Sequence, residues 1–123
     1  ATCQPEARDS QSVRVGEEST IAQGVVDECA AFNVEANKAD KPGDVGVVVG
    51  ATLDNPPRLD ALNGPVLLPG VGAQGAGPKQ VHGIVSAHPS LGFANVSRAV
   101  LEQGPGVADL RKAVAQVVAE FRD

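Results

Sequence analysis

The reading of this chain turns on Pro65-Val66-Leu67-Leu68-Pro69-Gly70-Val71-Gly72-Ala73-Gln74-Gly75-Ala76-Gly77-Pro78. Its apolar opening, residues 65–68, predicts a buried strand. Glycines at 70, 72, 75 and 77 then predict a sharp turn with exposed N–H groups, because glycine alone enters left-handed backbone without strain. A turn of this kind at the C-terminal end of a strand is where α/β proteins commonly hold a phosphate.

Working outward, Val45-Gly46-Val47-Val48-Val49-Gly50 is continuously apolar, as expected of a strand buried on both faces in a parallel sheet. It ends in the small pair Ala51-Thr52. Pro56 to Leu62 predicts a short helix stopped at Asn63-Gly64. Beyond the glycine turn, Lys79 to Leu91 reads as a loop. Phe93 to Ser97 predicts a last strand, and Arg98 to Leu101 the opening of a short helix. After the break at Gly104-Pro105-Gly106, a helix is predicted over about Val107 to Phe121. Its apolar stripe is Val107, Leu110, Val114, Val117, Val118 and Phe121.

Toward the N-terminus, Ser19 or Thr20 caps a predicted helix that runs to about Asn33, with Ile21, Val25, Cys29 and Phe32 on one face. Residues 37–44 form a charged loop. Residues 1–18 are polar and irregular, and Gln4-Pro5-Glu6 looks like a loop leaving a strand whose start is missing. Alternating helices and buried strands predict one α/β domain over residues 1–123 with a parallel sheet. Three or four strands cover themselves poorly, which suggests part of a larger fold.

Composition narrows the function. Hydrophobic residues make up 42% and charged residues 20%, the balance of a globular chain. Aromatic residues are only 2%, with no Trp or Tyr, so base stacking has little to work with. A net charge of −5 also argues against nucleic acid or an anionic membrane as partner. One phosphate ester needs only a local group of donors. Cys3 and Cys29 make neither a zinc box nor a CxxC pair, and a reduced cytoplasmic protein is expected. No run is long and apolar enough to span a membrane, and no signal peptide is read. A chain that starts Ala1-Thr2-Cys3 and holds no Met is expected to be processed or a piece of a longer protein.

Gly70-Val71-Gly72-Ala73-Gln74-Gly75 matches G-x-G-x-x-G, the dinucleotide fingerprint. That reading requires a carboxylate about twenty residues on, at the end of the next strand, and Asn95 stands there instead. A phosphate cradle with Gln74 at its centre is preferred. Arg98, just past the next strand, supplies a fork of N–H donors for the same phosphate. In a β/α barrel the loops after the last two strands form such a site. His82 and His88 lack a third ligand, so no metal site is expected. Lys38-Ala39-Asp40-Lys41 precedes a strand, the wrong end for an α/β active site, and reads as solvated loop charge.

Three strings in this order, Val45-Gly46-Val47-Val48-Val49-Gly50-Ala51-Thr52, Leu67-Leu68-Pro69-Gly70-Val71-Gly72-Ala73-Gln74-Gly75 and Val96-Ser97-Arg98-Ala99-Val100-Leu101, resemble orotidine 5′-phosphate decarboxylase. The likeness is to the branch found in mycobacteria and other actinobacteria. Thr2-Cys3-Gln4-Pro5-Glu6 resembles its loop after the fifth strand, Thr-Ser-Asn-Pro. The resemblance implies the C-terminal part, about strands five to eight, of a TIM (β/α)8 barrel. It implies that Gln74 binds the nucleotide's phosphate and base edge, that Pro69 lies against the pyrimidine, and that Arg98 grips the phosphate. The backbone around Gly72 and Gly75 would line the phosphate site. Cys3 stands where the family has a serine that hydrogen-bonds the pyrimidine, and a thiol is a weaker donor.

The family's proton donor is a lysine in Asp-x-Lys-x-x-Asp on an earlier strand, and this sequence holds no such motif. The resemblance therefore implies a carboxy-lyase of pyrimidine biosynthesis, cytoplasmic and without cofactor, of which this chain carries the nucleotide-binding half but no catalytic residue. Alone it is expected to be inactive, and to associate as a homodimer or with the missing N-terminal half. The alternative is a non-catalytic module that binds a phosphate ligand or joins another half barrel. Its ligand in either case is a small nucleotide monophosphate.

Overall fold

The computed structural model describes residues 2–3, 12–15, 19–72 and 74–122. Four parallel strands form the main sheet in chain order: β1 (Thr2–Cys3), β4 (Val47–Val49), β5 (Val66–Leu68) and β6 (Gly92–Ala94). A separate antiparallel ribbon pairs β2 (Arg14–Val15) with β3 (Ser19–Thr20). Two-residue strands are too short to show a period, which is why the ribbon is not legible in the polar opening.

Helix α1 (Ile21–Phe32) starts where the sequence places it, because Thr20 Oγ1 accepts the Gln23 N–H at 3.2 Å. The buried side of α1 is not the predicted stripe. Val26 and Asn33 are buried and Cys29 packs on the core, whereas Phe32 is 79% exposed. The face is rotated by one position because Asn33, at the helix end, is drawn inward. Its Nδ2 donates to Val45 O at 2.7 Å and Leu62 O at 2.8 Å, and its Oδ1 accepts from Val45 N–H at 3.1 Å. A second helix, α2 (Val34–Lys38), occupies part of the expected loop.

The Pro56–Leu62 helix does not form. Two successive prolines remove donors, and Leu59 and Leu62 are buried from a turn closed by Leu62 N–H to Leu59 O at 3.1 Å. Conversely, the expected loop after residue 79 contains α3 (Pro78–Ile84) and a 3₁₀ turn, Pro89–Leu91. Pro78 opens α3 at its first turn, where a missing N–H costs nothing, and Val81 and Val85 bury one face. Strand β6 begins one residue early and ends at Ala94, although Asn95 N–H still reaches Leu68 O at 3.0 Å. A four-residue helix, α4 (Arg98–Leu101), and the last helix, α5 (Val107–Glu120), follow.

The core fills one side of the sheet only. Val47, Val49, Val66 and Leu68 point to it and meet Val26, Leu59, Leu62, Val81 and Val85. The alternate residues Val48, Leu67 and Phe93 pair across the strands in one row on the other side. Leu67 is 41% and Phe93 53% exposed. Strands read from sequence as buried on both faces are thus covered on one. Helix α5 tells the same story: it docks through Ala113, with Val117 and Phe121 half-buried, and leaves Val107, Val114 and Val118 of its predicted stripe exposed.

Candidate functional site

The C-terminal ends of β4, β5 and β6 carry the candidate site. At the end of β5, Pro69 is half-buried and its carbonyl accepts Ala51 N–H at 2.9 Å, tying the turn to the end of β4. Gly70, Gly72 and Gly75 have φ of 94°, 75° and 88°, the left-handed region that favours glycine. Gly72 N–H donates to Ala76 O and Gly75 N–H to Gly72 O, each at 2.9 Å. These two amides close the turn on itself, and they fix its shape.

Gln74 is exposed and its side chain folds back over the turn: a Cβ on Gly70 would lie 2.7 Å from Gln74 Oε1. Gly70 is therefore needed twice, for its backbone angle and as the seat of the Gln74 amide. Sequence reasoning took Gly72 and Gly75 as the site glycines and missed this one.

The turn and the opening of α4 come close together at Gly72. A Cβ on Gly72 would lie 3.3 Å from Ala99 Cβ and 3.9 Å from Val96 Cγ1, so the turn packs directly on the opening of α4. Arg98 is the first residue of α4, is exposed, and makes no ion pair among the described residues. Ser97 Oγ donates to Asn95 Oδ1 at 3.0 Å at the same joint. The arrangement brings the Gln74 amide and the helix that Arg98 opens to the same end of the sheet. No Asp or Glu occurs between Asp60 and Glu102 in a chain of net charge −5. That gap is a readable signal for an anion site.

Behind the turn lies a cavity of about 490 Å³, lined by Gly72, Ala76, Val96, Ala99 and the α5 residues Asp109, Lys112 and Gln116. Neither Gln74 nor Arg98 lines it. It lies between the turn and α5. Cys3 ends β1 and pairs with Val49, but its side chain, like Gln4 and Pro5, lies outside the described residues. Cys29 is a free thiol on α1.

The other titratable groups lie apart. His82 sits edge-on to Phe121, with ring centroids 6.4 Å apart, while the His88 Nε2 lies 3.2 Å from Asp60 O. No group of three or more metal-ligating side chains occurs among the described residues. Lys38 pairs with Glu35 at 2.7 Å, both exposed, at the end of α2 before β4. Among the described residues no helix is long and apolar enough to cross a membrane.

Comparison with known proteins shows what the chain is similar to. The chain is 44% identical over 121 residues to orotidine 5′-phosphate decarboxylase of Corynebacterium glutamicum, and 48% identical over 121 residues to that of Corynebacterium efficiens. Its relatives are orotidine 5′-phosphate decarboxylases. Each alignment covers 98% of this chain but only 44% and 43% of the relative, so the chain spans less than half their length. A crystal structure from Streptomyces avermitilis, provisionally described as an orotidine 5′-phosphate decarboxylase, superposes with a TM-score of 0.80 at 37% identity, over 98% of this chain and 42% of that one. No family model matches the chain. The resemblance carried by the three sequence strings is thus borne out over 98% of the chain.

Proposed function

We propose that this chain is the C-terminal portion, about strands five to eight, of a β/α-barrel orotidine 5′-phosphate decarboxylase, and that it carries the nucleotide-binding side of the site. The observation that supports it is the close approach of Gly72 to Ala99, which brings the opening of α4, where Arg98 stands, to the glycine turn. In this reading the Arg98 guanidinium grips the phosphate, the Gln74 amide spans phosphate and base edge, and Pro69 lies against the pyrimidine. The turn around Gly72 and Gly75 supplies the concave wall, and Cys3 corresponds to the family serine that hydrogen-bonds the pyrimidine. The substrate is a nucleoside monophosphate, orotidine 5′-phosphate going to uridine 5′-phosphate and CO₂ in cytoplasmic pyrimidine synthesis.

Loss of CO₂ leaves a carbanion on the ring, which a lysine ammonium must stabilise and protonate. No Asp-x-Lys-x-x-Asp motif is present to supply it. Binding energy collected at the phosphate is spent at the distant ring, so a grip without the lysine binds but does not turn over. The remaining part of the barrel brings the lysine and covers the Val48–Leu67–Phe93 row, either within one protein or as a partner. The open row also favours a second reading for the chain by itself, a non-catalytic half barrel that associates with a copy of itself.

The test is CO₂ release from orotidine 5′-phosphate. The chain alone is expected to release none, and the chain joined by the rest of the barrel to turn over. Turnover by the chain alone at an enzyme's rate, or none by the joined form, overturns the proposal. Arg98→Ala is expected to weaken uridine monophosphate binding by about 10–100-fold, the worth of a charge-assisted contact of roughly 1.5–3 kcal/mol, and to leave uridine binding unchanged.

A further inference from the structure

Asn95 failed the dinucleotide pattern because it is not a carboxylate. The structure gives it another use. Its N–H donates to Leu68 O at 3.0 Å, and Leu68 pairs with Ala94, so Asn95 stands level with Pro69 at the C-terminal ends of β5 and β6. Side chains alternate along a strand, which puts Asn95 on the open side with Phe93 rather than on the core side with Ala94. Its side chain is exposed. Ser97 Oγ donates to Asn95 Oδ1 at 3.0 Å, so the acceptor end of the amide is engaged. The Nδ2 group, with two N–H donors, has no partner among the described residues. Asn95 stands three residues before Arg98, in the stretch of sequence that lacks any carboxylate.

We infer that Asn95 is a further nucleotide contact, donating from Nδ2 to an oxygen of the sugar phosphate, with Ser97 as the positioning residue that keeps the amide nitrogen turned toward it. This rests on the nucleotide reading of the site and adds a neutral donor to Arg98 and Gln74. A neutral amide suits an oxygen beside a phosphate, where a carboxylate would repel it and a second cation is not required.

The test compares binding of uridine monophosphate, uridine and inorganic phosphate to the chain joined by the rest of the barrel, for the parent and for Asn95→Ala, Asn95→Asp, Ser97→Ala and Arg98→Ala. Asn95→Ala is expected to weaken uridine monophosphate about 5–15-fold, the value of one neutral hydrogen bond. Asn95→Asp is expected to weaken it further, and Ser97→Ala less. A parallel loss for uridine assigns the contact to the ribose; a loss confined to uridine monophosphate and phosphate assigns it to the phosphate. Both support the inference, provided the melting temperature is unchanged. If Arg98→Ala weakens uridine monophosphate while Asn95→Ala and Asn95→Asp bind like the parent, the Asn95 contact is refuted and the nucleotide reading stands. If Arg98→Ala also binds like the parent, or nothing binds, both fall.

Discussion

Replacing Asn33 is expected to cost more stability than any exposed substitution in this chain. Its side chain is 2% exposed and makes three hydrogen bonds to backbone: two donated to Val45 O and Leu62 O, one accepted from Val45 N–H. Asn33→Ala strands these groups where water reaches them poorly. At about 1–1.5 kcal/mol for each hydrogen bond, the loss is about 3–4.5 kcal/mol, a large share of the roughly 5–15 kcal/mol that holds a domain together. Asn33→Asp keeps the shape and the bond from Val45 N–H but turns a carboxylate oxygen toward two carbonyls. Burial and those carbonyls favour the protonated acid, so the folded chain binds that proton more tightly than the unfolded chain. Its stability therefore falls as pH rises through the carboxyl's titration and recovers on acidification. The assay is urea unfolding of the three proteins at neutral and mildly acid pH, with hydrogen exchange at the Val45 amide as a local readout. Asn33→Ala within about 0.5 kcal/mol of the parent, the scatter of neutral surface changes, would refute the clamp. So would Asn33→Asp matching the parent at neutral pH.

Three further outcomes are expected. Leu68→Ala empties a fully buried site at the sheet centre and should cost about 2–5 kcal/mol in urea unfolding; a change under 1 kcal/mol counts against the core described. Gly70→Ala meets both the left-handed backbone at φ 94° and the Gln74 amide, and should weaken uridine monophosphate binding to the joined barrel more than Gly83→Ala, where an added Cβ meets nothing within 4 Å. Equal affinities would show that the turn tolerates a side chain at position 70. Phe93→Ser on the open row should lower self-association of the isolated chain in sedimentation, and an unaltered distribution would show that this face does not hold copies together.

Much of the site was legible because it is local. Strand β5 and the glycine turn follow from one short string, and Arg98 from its place just past the next strand. What the string could not give was the contact between Gly72 and Ala99, since the approach of a turn to a helix has no sequence period. Burial was the harder matter. Phe32 and Val114 sit on well-formed apolar stripes yet stay exposed, because periodicity reports which residues share a face and not whether a neighbour covers it. Asn33 was invisible for the opposite reason: a polar residue at a helix end reads as a stop signal, while here it is among the most deeply buried side chains. The helix α3 was readable from Pro78 and the Val81–Val85 spacing, but the glycines before it drew the reading toward a loop.

The Asn33 clamp has a meaning beyond its energy. It grips the chain just before β4 and β5 begin, whereas Pro69, Gln74, Asn95 and Arg98 sit where the strands end. The same few strands thus carry their anchorage at one pole and their ligand chemistry at the other, with only the apolar core between. Such a separation lets the two be altered independently. Variants selected for a new ligand should accumulate at one pole without loosening the fold, and variants selected for heat resistance should accumulate at the other without changing what the chain binds.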